Sequence, residues 1–160
     1  MTALQVWRLW GLFVFLLLFA TACDQPSLPA PVPPPRTDSI EGPVAAKVER
    51  VIDGDTIQVQ AFIWLGESIT IRVRIDGIDA PEPNGRCAEE RRLATLAHDY
   101  LAERVGRAPI KLTHIVYDKY GGRVRATVSD AKGDVGAALL RAGLARPYHG
   151  ERRAPWCTSS

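Results

Sequence analysis

At 160 residues, with 46% hydrophobic and 24% charged side chains, the chain has room for one packed domain and a non-globular end. A formal net charge of only +2 excludes a protein that coats nucleic acid through a broad basic surface, though not one that grips a few phosphates locally.

Residues 1–23 read as a secretory signal: Arg8 in a short n-region, an apolar run from Trp10 to Ala22, then small residues. Ala20-Thr21-Ala22-Cys23 resembles a bacterial lipoprotein box, in which Cys23 becomes the lipidated N-terminus, although Ala20 stands where leucine is usual. An ordinary cleaved signal and an uncleaved anchor are the alternatives. Residues 24–43 hold Pro33-Pro34-Pro35 and read as a stiff tether, or simply as a poorly ordered terminus. The domain is expected to span residues 44–160. With Cys23 set aside, Cys87 and Cys157 remain as an even pair, either bridged or two buried thiols.

A first strand is expected from Ala45 to Ile52, followed by a tight turn at Asp53-Gly54 and a second strand from Thr56 to Trp64. Ile69, Ile71, Val73 and Ile75 alternate with Thr70, Arg72 and Arg74, which predicts a half-buried strand carrying both arginines on its polar face. Pro81 and Pro83 interrupt regular structure. From Ala88 to Val105, Leu93, Leu96, Ala97, Tyr100 and Leu101 recur at helical spacing, and Gly106 stops the helix. Strands at Ile110–Val116 and Arg123–Val128 and a short helix from Val135 to Ala142 complete the order. Three strands, a helix, two strands and a helix suit a small closed barrel.

Three segments carry chemistry: Val51-Ile52-Asp53-Gly54-Asp55-Thr56, then Arg74 to Glu82, then Asp118-Lys119-Tyr120-Gly121-Gly122-Arg123. Together, in this order, they resemble the staphylococcal nuclease-like (thermonuclease) family over about Ala45 to Tyr148. The resemblance implies a mainly β fold, a five-stranded OB-fold barrel with two helices. It implies a nuclease that hydrolyses phosphodiester bonds of DNA or RNA at the 5′ P–O bond, leaving 3′-phosphate ends, with Ca²⁺ as cofactor.

The chemistry of the residues agrees. Phosphodiester attack builds negative charge, so fixed positive groups and a base near the attacking water are needed. Asp55 and Asp79 are hard oxygen ligands suited to calcium; by resemblance they bind it with the backbone carbonyl of Ala80. Arg74 and Arg123 match the family's two phosphate-binding arginines, and Glu82 its proposed general base. The extra glycine, Gly121-Gly122, lengthens the turn before Arg123. Lys119, Tyr120 and Tyr148 are candidates for substrate contact, the tyrosines by stacking on bases or, alternatively, as packing at the barrel edge. Asp53 is read as turn chemistry, Arg72 as a solvated charge, and His98, His114 and His149 as uninvolved. The family archetype has a further C-terminal helix; here Trp156 packing and a Cys87–Cys157 bridge are expected in its place.

The expected partners are a nucleic acid substrate and a membrane reached through the lipid anchor, with the protein a monomer. The expected location is the periplasmic side of a membrane, or outside the cell. A non-catalytic OB-fold nucleic-acid-binding module is the alternative, against which stands the retention of all five charged positions. An envelope lipoprotein with a purely structural role gives no reason for the three motifs.

Overall fold

The computed structural model describes residues 38–157. The expected signal segment, Cys23 and residues 24–37 of the expected linker lie outside them. Among the described residues no helix is long and apolar enough to cross a membrane.

The chain joins the sheet before Val44: strand β1 (Ser39–Ile40) pairs with Ile115 and Val116. Strands β2 (Val44–Val51), β3 (Thr56–Trp64) and β4 (Glu67–Ile75) then form an antiparallel meander. After β5 (Ile78–Asp79) come helix α1 (Ala88–Val105), β6 (Pro109–Tyr117) and β7 (Arg123–Asp130). The described chain continues through β8 (Gly133–Asp134), α2 (Val135–Arg141) and β9 (Arg146–Pro147). β6 pairs with both β2 and β7, and β7 runs parallel to β4, so the five long strands close into a ring. Closure leaves those strands no free edge. This is the five-stranded barrel with two helices that the strand count implied.

Ile57, Val59, Val73, Ile75, Ile110, Leu112 and Val128 fill the core, with Leu101 and Val105 from α1 and Val135 and Leu139 from α2. Helix α1 does not seat itself on Leu96, although Leu101 is buried. Its buried stripe is Glu90, Ala94, Ala97, Leu101 and Val105, while Leu96 is exposed. Small residues are needed there because the helix packs hard against the loop between β2 and β3: a Cβ on Gly54 would sit 2.7 Å from Ala97 Cβ and 2.8 Å from Ala80 Cβ. Gly54 therefore serves close packing. The expected tight turn is a wider loop, closed by Ile52 and Asp53 N–H groups donating to the Thr56 carbonyl.

Candidate active site

Pairing of Thr56 with Arg74 across β3 and β4 sets Asp55 beside Arg74, and Ile75 N–H donates to the Asp55 carbonyl at 2.8 Å. Asp53 caps the loop by accepting from Asp55 N–H at 3.1 Å, as turn chemistry requires. Arg74 Nη1 lies 2.7 Å from both Asp55 carboxylate oxygens, and Nη2 donates to the Ile78 carbonyl at 3.1 Å. Thr56 Oγ1 and Ala80 N–H also donate to Asp55, at 2.9 and 3.2 Å. Arg74 is only 7% exposed and Asp55 4%. On the polar face of β4 the two arginines differ: Arg72 is exposed, but Arg74 is buried because a carboxylate and a carbonyl receive its fork. Burial pushes the Asp55 carboxyl up to about 6, against the pull of Arg74 and with a smaller push from Asp53.

Asp79, in β5, is equally buried. β5 is held by β9, which pairs Ile78 with Pro147 and Asp79 with Arg146. That two-residue strand was not expected. It delivers Tyr148, whose N–H donates to the Gly77 carbonyl and whose ring lies 5.9 Å from the Arg74 guanidinium. Asp79 Oδ1 has Arg74 Nη2 at 3.6 Å, too far to donate, and Arg153 Nε at 2.9 Å without a hydrogen bond, so this buried oxygen accepts none. Arg153 Nη1 instead donates to Glu82 Oε1.

On β7, Arg123 Nε donates to Asp118 Oδ2 at 2.6 Å, and its guanidinium lies 5.2 Å from the Tyr120 ring. Gly122, at φ +76°, supplies the left-handed residue of the longer turn, and nothing crowds it. Tyr120 is 60% exposed, so it is not packed into the barrel edge.

Arg74, Glu82, Lys119, Tyr120, Arg123 and Tyr148 line one open cleft of about 800 Å³. Asp79, Ala80 and Glu82 line a second cleft of about 740 Å³, and Glu82 and Arg153 are common to both. Asp118 and Arg153 were missed as site residues. Asp118 stands in the third motif and was legible as a partner for Arg123; Arg153 has no local signal, since it arrives on the tail. His149 also lines the first cleft, whereas His98 pairs with Asp99 on α1.

The tail is fixed by the Cys87–Cys157 disulfide, whose Cα atoms lie 6.0 Å apart. Arg146 adds a hydrogen bond to the Pro155 carbonyl and stacks 3.9 Å over Trp156. Of the two open alternatives for these cysteines, the structure has the bridge.

A hard cation fits this set. Two buried carboxylates lie against the one Arg74 guanidinium, Asp79 Oδ1 accepts no hydrogen bond, and burial of Asp55 is not fully offset by its partners.

A closed five-stranded barrel with an arginine- and carboxylate-lined cleft defines the OB-type class of nucleic-acid-handling folds. Residues 72–156 match the family described as staphylococcal nuclease homologue, and the chain belongs to that family. The matched span holds every candidate site residue above except Asp55, Cys23 and Cys157. The chain is also similar to endonuclease YhcR of Bacillus subtilis (strain 168), at 29% identity over 126 residues. That alignment covers 74% of this chain but only 10% of the relative.

Proposed function

We propose that the domain is a calcium-dependent nuclease that hydrolyses phosphodiester bonds of DNA or RNA. One observation carries the reading: Arg74, Arg123, Lys119 and Glu82, from separate segments, line one cleft beside the buried pair Asp55 and Asp79. A binding module has no need of two buried carboxylates beside a cleft lined by several guanidinium groups.

Asp55, Asp79 and the Ala80 carbonyl would hold the cation, which supplies Lewis-acid charge to a phosphate oxygen. Glu82 takes a proton from the attacking water as the new P–O bond forms. Arg74 and Arg123 offset the charge gathering on phosphorus and on the departing 5′ oxygen, which leaves with the electron pair of the broken bond. Tyr120 and Tyr148 offer rings to unstacked bases, which favours single-stranded or loosely paired substrate.

The setting proposed is export, with Cys23 as lipid anchor of a monomer on the periplasmic side of a membrane, or secretion. The disulfide supports an oxidising compartment. The test is digestion of single-stranded DNA and RNA with calcium and with chelator. Loss of cleavage on chelation is expected; cleavage that persists overturns the calcium requirement, and binding without turnover in calcium makes the domain a binding module.

A further inference from the structure

Arg153 belongs to no motif, yet with Glu82 it lines both clefts. It is held there by contacts just beyond it in the chain: Arg146 binds the Pro155 carbonyl and covers Trp156, and Cys157 is bridged to Cys87, five residues beyond Glu82. Its own segment has no regular secondary structure and its neighbours Arg152, Ala154 and Pro155 are exposed. The strap thus presents one guanidinium to the carboxylates Asp79 and Glu82.

The contact has the form of a replaceable counter-ion. Arg153 Nε is 2.9 Å from Asp79 Oδ1 without donating to it, and the Arg153 side chain is 43% exposed. A divalent cation at Asp79 would compete directly with it for that oxygen. Once displaced, the guanidinium remains tethered beside the first cleft, where Arg74, Arg123 and Lys119 already face the space for a phosphate.

We propose that Arg153 is a third phosphate-binding arginine of this site, resting on Asp79 and Glu82 until a cation takes Asp79 and then passing to the substrate. The exchange releases Glu82 for its work on water and makes cation and nucleic acid binding mutually supportive. The proposal rests on the cation site put forward above.

The experiment uses the full chain with calcium and a phosphorothioate single-stranded DNA as probes, by calorimetry. Arg153→Gln is expected to bind calcium about fivefold more tightly and the oligonucleotide about fivefold more weakly, the worth of a part-exposed ion pair. Arg153→Lys should retain most of the oligonucleotide affinity. Unchanged affinities for both ligands overturn the proposal. Should Arg153→Gln fail to fold, the Arg153 Nε–Hε NMR signal of the wild type, assigned by its loss in Arg153→Lys, decides. It is expected to move on adding calcium and again on adding DNA, and a stationary signal overturns the exchange. Normal calcium binding with an unmoved Arg153 sinks this proposal alone. A wild-type chain that binds no more calcium than Asp79→Asn sinks the cation site and the proposal with it.

Discussion

Arg74 and Asp55 are locked together at the buried ends of two paired strands, Nη1 standing 2.7 Å from both carboxylate oxygens while Nη2 reaches the Ile78 carbonyl. A single guanidinium therefore ties the loop before β3 to the segment that carries Asp79. Only a planar fork can serve both acceptors at once. Arg74→Lys keeps the charge but loses one of the two contacts. We expect a fall in kcat of about 10²–10³-fold on single-stranded DNA, the usual loss for a charge-stabilising donor, with the circular dichroism spectrum unchanged. Activity within a few-fold of wild type would remove Arg74 from the chemistry.

The raised Asp55 carboxyl gives a pH dependence of definite sign. Its folded value of about 6 lies above the ordinary 3.8, so the folded state holds a proton that the unfolded state has released between those limits. Stability then falls as pH rises through that window, by roughly 3 kcal/mol in full. Glu89 and Glu151, lowered by Arg92 and by backbone N–H groups respectively, act in the opposite sense only below their ordinary 4.5. In chelator, Tm should therefore be higher at pH 5 than at pH 7, and calcium at pH 7 should recover the difference by binding the folded state. Asp55→Ala should abolish the pH-dependent part. A flat wild-type profile between pH 5 and 7 contradicts the assignment.

Gly54 is where fold and site press on each other. A methyl group there would lie inside contact distance of Ala80 and Ala97, both built into buried backbone. Neither Cβ can rotate away, so α1 or the loop carrying Asp55 has to shift. Gly54→Ala should lose about 1–3 kcal/mol, the ordinary cost of overpacking. It should also depress cleavage more than an equally destabilising change at Leu139, which lies in the core and lines neither cleft. Equal stability of Gly54→Ala and wild type by urea titration would refute the close packing.

The five long strands and both helices were legible because their signals are local: period-two alternation in β4, a glycine stop after α1, motif glycines before β7. What the sequence hid was contact at long range. Of the residues at helical spacing in α1, Ala97 and Leu101 are buried but Leu96 is exposed, and it is Ala97 that sits over Gly54. Arg74 was legible as a site arginine, but its burial was not, because its acceptors, Asp55 and the Ile78 carbonyl, belong to other segments. β9 and Arg153 carried no pattern of their own; their positions follow from pairing with β5 and from the disulfide.

That disulfide carries the last prediction. Cys87 and Cys157 are separated by 70 residues, so the bridge removes a long loop's freedom from the unfolded chain. In the chain-entropy model this is worth about 4 kcal/mol, a large part of a small domain's stability. The bridge also holds the segment that brings Arg153 to Glu82 and Asp79. Cys87→Ser combined with Cys157→Ser should lower Tm by more than 10 °C, at about 4–8 °C per kcal/mol, and should leave the barrel's far-ultraviolet spectrum intact below the transition. Reduction of the wild type should reproduce the shift, while leaving the double variant unaffected. A double variant that melts with the oxidised wild type would show that the tail is held by Trp156 and Arg146 alone.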